Sequence, residues 1–189
     1  MLSEEAPDDR RRLRAERVWI VDPLDGTREF GESERTDWAV HVALVAHGEL
    51  AAGAVALPAR RLTLSSDPAP PPAPPVERTP RIVVSRSRPP AEAELVAESL
   101  GATLVPMGSA GAKAMAVVTG EADLYLHAGG QHVWDSAAPV AVAAAAGLHT
   151  SRVDGSPLAY DAESTWLPDL LICRRELADA VLALVNAVA

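Results

Sequence analysis

The apolar positions of this chain change their spacing part of the way along. Before residue 67 they fall in short β-branched or alternating runs. "ERVWIVDP" predicts a buried strand ending at the Asp22-Pro23 pair, "WAVHVALVAHGELAAGAVALP" predicts two strands joined by a turn near His47–Glu49, and "RRLTLSS" a further strand. Antiparallel pairing is expected among them. The preceding charged run "DDRRRLRAER" predicts a solvated helix or loop. Residues 67–80, "DPAPPPAPPVERTP", are too rich in proline for helix or sheet and predict an extended spacer. It divides a segment 1–66 from a segment 81–189.

Beyond the spacer, strand-like and helix-like patterns alternate. "RIVVSRS" predicts a strand, "PPAEAELVAESLG" a helix, "ATLVPMG" a strand and "SAGAKAMAVVTGEA" a helix of small residues. "DLYLHA" then predicts a strand and "DSAAPVAVAAAAG" a helix closed by Gly147, with Pro139 expected near its first turn, where proline is tolerated. "DLLICRR" and "ELADAVLALVNAVA" complete the series as strand and helix. This alternation argues for an α/β architecture, helices layered over mixed sheets, with no internal repeat.

Composition narrows the function classes. With 189 residues, 48% of them hydrophobic, the chain suits one domain or two small ones with a buried core. No run is long enough to span a membrane, and the charged N-terminus lacks the apolar core of a secretory signal, so a cytoplasmic, membrane-independent protein is expected. A net charge of −9 argues against a nucleic-acid polymer as partner. Cys173 sits in a strand-like apolar run as core, and His41 and His47 have no partners at zinc-ligand spacing. Trp19, Trp38, Trp134 and Trp166 are expected to pack beside strands. The basic residues are sixteen Arg and one Lys, which makes Lys113 stand out as a compact point charge among planar forks.

The chemistry concentrates in "VDPLDGTREF". Asp22 and Asp25, three apart on irregular backbone after a strand, can converge on one hard cation, with the Leu24 carbonyl as a further oxygen, a ligand set of the Mg²⁺ type. Gly26 permits close backbone approach, and the amides of Gly26 and Thr27 can face a phosphate. Asp, Pro and Gly are equally the residues of an ordinary turn. Asp135, at the start of a helix in "VWDSAAP", can cap that helix or reach a metal. Glu4 and Glu5, shortly before the Asp22 strand, offer another carboxylate.

Taken in order, "LSEE", "WIVDPLDGT", "GSAGAKAM" and "WDSAAP" resemble the inositol monophosphatase superfamily of metal-dependent, lithium-sensitive phosphatases, over nearly the whole chain. "SEE", "DGTREF", the Lys of the small-residue helix and "WDSAA" are most similar to its bisphosphate nucleotidase branch, which removes the 3′-phosphate of 3′-phosphoadenosine 5′-phosphate in sulfate assimilation. The resemblance implies that Glu4, Asp22, the Leu24 carbonyl, Asp25 and Asp135 bind two or three Mg²⁺, with Glu5 as the fallback for Glu4. It implies that Gly26 and Thr27 hold the scissile phosphate, and that Glu4, Asp25 and Thr27 serve catalysis, the Thr27 hydroxyl orienting the attacking water.

By the same resemblance, Ser85, Arg88, Ser109 and Lys113 bind the substrate's other phosphate and sugar, although Arg86 and Arg88 equally fit solvated surface charges. A small phosphorylated metabolite is the implied partner, and a homodimer is compatible. The first glutamate ligand falls within the first five residues, so an N-terminally truncated member is expected, without the helices that precede that glutamate in the family. The alternatives are a phosphatase of inositol or sugar monophosphates or of fructose 1,6-bisphosphate, or a non-catalytic remnant that binds phosphometabolites.

Overall fold

The computed structural model describes residues 1–8 and 10–187. Alternating side chains of the N-terminal runs are buried, and the runs pair as one five-stranded sheet: β1 (Leu2–Ser3), β2 (Arg17–Asp25), β3 (Ala39–Ala46), β4 (Glu49–Leu57) and β5 (Leu62–Ser65), in that order. β1 lies parallel to β2, and the other pairs are antiparallel. His47 (φ 52°) and Gly48 (φ 84°) both take positive φ, the geometry that closes a two-residue hairpin between right-twisted strands. A single helical turn, α1 (Thr27–Phe30), follows β2.

Residues 67–80 form no regular structure, as the prolines dictate, and Arg78 ties the end of this stretch to the buried Asp123 (2.6 Å). The second half supplies β6 (Arg81–Ser85), α2 (Ala91–Leu100), β7 (Thr103–Met107), α3 (Ala110–Val118), β8 (Leu124–His132) and α4 (Val133–Ala145). β9 (His149–Ser151), β10 (Trp166–Cys173) and α5 (Arg175–Asn186) complete it. Its sheet runs β7-β6-β8-β10-β9, with β6, β7 and β8 parallel and β10 antiparallel to both neighbours. The last two positions of the expected C-terminal helix lie outside the described residues.

α3 and α4 lie between the two sheets. Ile20 and Val55 from the first sheet, Met115 and Val142 from the helices, and Tyr125 and Leu170 from the second share one apolar core. A second core joins the far face of the second sheet to α2 and α5 through Ile82, Val96, Leu171 and Val181. A helix layer buried on both sides needs small side chains, which explains the alanines of "SAGAKAMA" and "SAAPVAVAAAA". No described helix is long and apolar enough to cross a membrane.

Four expectations are corrected. The charged run forms a 3-10 turn (Arg11–Arg14) rather than a fully solvated segment: Arg12 is buried, donating to Asp8 (3.0 Å) and to the carbonyls of Ala162 and Glu163 (both 2.8 Å), while Asp9 lies outside the described residues. Trp19 and Trp166 are both half exposed, Trp19 because α4 covers only one face of the first sheet and Trp166 at the start of β10, where its ring meets His132 edge-on. Pro139 sits inside α4 rather than in its first turn, so the Asp135 carbonyl lacks its usual i+4 donor. β2 does not stop at Asp22-Pro23 but continues to Asp25.

Gly53 of β4 is where α4 comes closest, since a Cβ there would lie 2.6 Å from the Ala141 Cβ and 2.9 Å from the Ala138 carbonyl. Gly53→Val should therefore lower the urea midpoint at unchanged slope, by about 2 kcal/mol of overpacking. An unchanged midpoint would show that α4 can lift from the sheet at no cost.

Candidate metal centre and active site

In a regular strand, residues three apart point to opposite faces. β2 escapes this by a bulge: Asp22 pairs with His41 and Asp25 with Ala39, so that Pro23 and Leu24 together oppose Val40. Both carboxylates consequently face inward, at 1% and 8% exposure. Pro23 sits in the bulge, where its missing N–H removes no ladder bond. Asp22 Oδ1 accepts the Leu24 N–H (2.9 Å), and Thr27 Oγ donates to the Leu24 carbonyl (3.3 Å). Gly26 makes the corner with φ 86°.

Asp135, in the first turn of α4, closes the group. One carboxylate oxygen from each of Asp22, Asp25 and Asp135 lies within 4.8 Å of the others, the one such cluster of potential metal ligands among the described residues. Asp135 also accepts the His132 N–H (2.6 Å), so it caps α4 and faces the cluster together. Glu4 follows β1, which pairs with β2 at Ile20 and Val21, and its carboxyl reaches hydrogen-bonding contact with Asp22. Glu5 is exposed in the same turn.

The three carboxyls differ electrostatically. Burial pushes Asp22 up to about 8, with His41 opposing and the charges of Asp25 and Glu4 adding to the rise. Burial, then Asp25, pushes Asp135 up to about 6. Burial would raise Asp25 too, but His41, the Ser109 hydroxyl and the Gly111 N–H hold it well below the usual carboxylate range. Crowded carboxylates that retain protons near neutrality are the donor set a hard divalent cation relieves, and the residues fit such an ion.

His41 belongs to this site although no motif contains it. Its ring is 1% exposed, with Nε2 at 3.2 Å from Asp25 Oδ2 and Nδ1 at 3.0 Å from the Trp134 carbonyl, next to Asp135. Gly111 admits the ring: a Cβ there would stand 2.1 Å from Nε2, and its N–H donates to Asp25 (2.7 Å). The available signal was a histidine on the inward phase of an alternating strand.

Beside the carboxylates lies a cleft of about 220 Å³ whose walls include Thr27, Ser85, Ser109 and Lys113. Ser109 caps α3, accepting from the Ala112 N–H (3.0 Å), and its hydroxyl donates to Asp25. Lys113 is 5% exposed, and its Nζ donates to the carbonyls of Ser109 (2.7 Å) and Gly108 (3.2 Å) 5.2 Å from the Tyr125 ring centre. Burial lowers its pKa, opposed first by Asp25. Arg88 is exposed and outside the lining of the cleft, its N–H on Ser85 Oγ (3.3 Å), and its charge is felt at His127 together with that of Lys113. Arg86 is no free surface charge: it pairs with Glu29 (2.6 Å) and with Glu32.

Two stacked sheets, a carboxylate cluster built on a β-bulge and an adjoining cationic cleft define a metal-dependent phosphatase architecture. The family model of the inositol monophosphatase family matches residues 1–69 and 72–188, and the chain belongs to that family. It is 53% identical over 193 residues to the 3′-phosphoadenosine 5′-phosphate phosphatase of Mycobacterium tuberculosis, covering 96% of this chain and 71% of that protein. It is 35% identical over 187 residues to the 3′(2′),5′-bisphosphate nucleotidase CysQ of Escherichia coli, covering 88% and 72%. The crystal structure of CysQ from Bacteroides thetaiotaomicron superposes with a TM-score of 0.78 at 26% identity, over 92% of this chain and 76% of that one.

Two outcomes follow from the geometry. With Asp135 at about 6 and Asp22 at about 8, both hold protons that a cation must displace at low pH, so affinity rises as pH climbs through this window. The melting-temperature gain from added Mg²⁺ should thus be larger at pH 8.5 than at pH 6, and a gain independent of pH would detach the cation from this cluster. His41→Leu should weaken Mn²⁺ binding in calorimetry by about tenfold or more, through loss of the contact that aims Asp25.

Proposed function

We propose that this chain is a Mg²⁺-dependent phosphatase that removes the 3′-phosphate of 3′-phosphoadenosine 5′-phosphate, yielding adenosine 5′-phosphate and inorganic phosphate. The observation that carries this reading is the double role of Ser109. Its hydroxyl touches Asp25 of the carboxylate cluster and its carbonyl holds the Lys113 ammonium, so sites for a reacting and a non-reacting phosphate adjoin at one helix start. A monophosphate has no use for the second. The mycobacterial and enterobacterial relatives named for this substrate support the assignment.

Glu4, Asp22, the Leu24 carbonyl, Asp25 and Asp135 would hold two or three Mg²⁺, which supply neutralisation of phosphoryl charge and a more acidic bound water. Gly26 turns the backbone so that Thr27 faces the scissile phosphate. With its proton committed to Leu24, the Thr27 oxygen acts as acceptor and orients the attacking water. Glu4, on the exposed side of Asp22, is placed to take up a proton from that water. A new bond forms between phosphorus and the water oxygen, the bond to the 3′-oxygen breaks, and the leaving oxygen takes a proton from solvent, to which Glu4 returns the one it accepted. Lys113 has two of its three protons on carbonyls, which fixes the ammonium and leaves one donor for the other phosphate. Ser85 contributes from the facing wall and Arg88 from outside the lining of the cleft.

Asp25→Asn should lower Mg²⁺-dependent phosphate release from the nucleotide by at least about 100-fold. Lys113→Met should cost about 100-fold in kcat/KM on the bisphosphorylated nucleotide and far less on inositol 1-phosphate, since a lost buried charge contact is felt where that phosphate exists. Equal losses on both substrates would refute the assigned role of Lys113.

A further inference from the structure

The wall of the cleft contains a second polar construction that no step above uses. Glu29, in α1 directly after the metal-bearing turn, is 7% exposed although it is a carboxylate. Its side chain passes over Gly108: a Cβ there would come within 2.2 Å of Glu29 Cγ and 2.6 Å of Oε1. Beyond Gly108 it meets Arg86, whose Nε donates to Oε1 at 2.6 Å while Nη2 engages Glu32. Arg86 is tied to the second sheet as well, its main-chain N–H donating to the Met107 carbonyl (3.3 Å). On the other side of the same corner, the Gly108 N–H donates to Asp37 (2.6 Å).

This arrangement joins two elements that the chain separates by more than fifty residues. α1 carries the turn that faces the reacting phosphate, and Ser85, Arg86 and Ser87 form the facing wall of the same cleft. Arg86 also answers two carboxylates at once. Without it, the buried Glu29 would present unpaired negative charge beside a site for an anionic ligand, while Glu32 would keep only its longer contact with Arg35 (4.0 Å).

We infer that Glu29 and Arg86 form a positioning pair for the substrate's non-reacting phosphate, clamping the Ser85–Arg88 loop to the metal-bearing turn across Gly108. The inference rests on the bisphosphorylated substrate proposed above. The pair touches neither phosphate. It fixes the distance between the two phosphate sites and keeps its own carboxylates neutralised, so it acts on KM and on product binding while leaving the metal ligands in place.

A double-mutant cycle of Glu29→Gln, Arg86→Met and the combination tests this, with three readings on each protein: kcat and KM for 3′-phosphoadenosine 5′-phosphate, calorimetric affinity for adenosine 5′-phosphate, and Mg²⁺ affinity. Each single change should raise KM and weaken adenosine 5′-phosphate binding about tenfold, with kcat within about twofold and Mg²⁺ affinity unchanged. The double variant should resemble Arg86→Met, because the Glu29–Arg86 contact is already lost there, together with the Arg86–Glu32 contact. Additive effects, unchanged KM, or a fall in kcat with loss of Mg²⁺ would overturn the inference. If Glu29→Gln fails to fold, the partly exposed Arg86→Gln carries the test through its KM-against-kcat split. The wild type separates the two levels: no preference for the bisphosphorylated nucleotide sinks the proposed substrate and this inference together, whereas a clear preference with an uncoupled cycle sinks this inference alone.

Discussion

Carboxylates repel one another, and this chain buries several of them side by side. That constraint organises the rest of the molecule. Asp25 can stay ionised inside the protein only because His41, the Ser109 hydroxyl and the Gly111 N–H converge on it, and because α3 begins where it can supply two of those donors. Its neighbours Asp22 and Asp135, with fewer donors, retain their protons longer. The asymmetry leaves one fixed anion and two carboxyls that give way to a cation, a division that burial of like charges makes unavoidable.

The start of α3 is accordingly the joint of the structure. Ser109 has φ 47° and ψ 132°, a strained conformation for any residue with a side chain. Strain of this kind costs on the order of 1–3 kcal/mol and persists where surrounding contacts overdetermine it. Here they do: the hydroxyl is held by Asp25 and Ala112, the carbonyl by Lys113, and the preceding glycine by Asp37 and Glu29. Glycine at 109 would relax the backbone and lose the hydroxyl that ties the helix to the metal centre.

Much of this was legible in the chain itself. Strands and helices follow from apolar spacing and from Gly and Pro punctuation, and the order of elements requires an α/β layering. Asp22, Asp25 and Asp135 stand out because acidic residues at a strand end and at a helix start are chemically pointed. What could not be read were features that exist only after distant segments pair. The bulge that turns Asp25 inward depends on β3, and the burial of Arg12 on the carbonyls of Ala162 and Glu163. His41 becomes a partner of Asp25 only when β2, β3 and α3 meet. Arg86 fits a solvated surface charge in the sequence, because its partner Glu29 and the glycine that lets them touch lie in two other segments. β9, three residues long, has no pattern of its own to detect. The half-exposed Trp19 was unreadable for the opposite reason, since an apolar strand residue does not say which face of the sheet will be covered.

The arginine-rich composition has one more consequence. Lys113 is the single lysine of the chain, and its ammonium sits at the corner where the carboxylate cluster and the cleft meet. Lysine labelled with ¹⁵N at Nζ therefore gives one ammonium resonance, and that resonance reports from the site without any engineered probe. Amine reagents meet no lysine on the open surface, so any lysine labelling of this chain reports on the cleft.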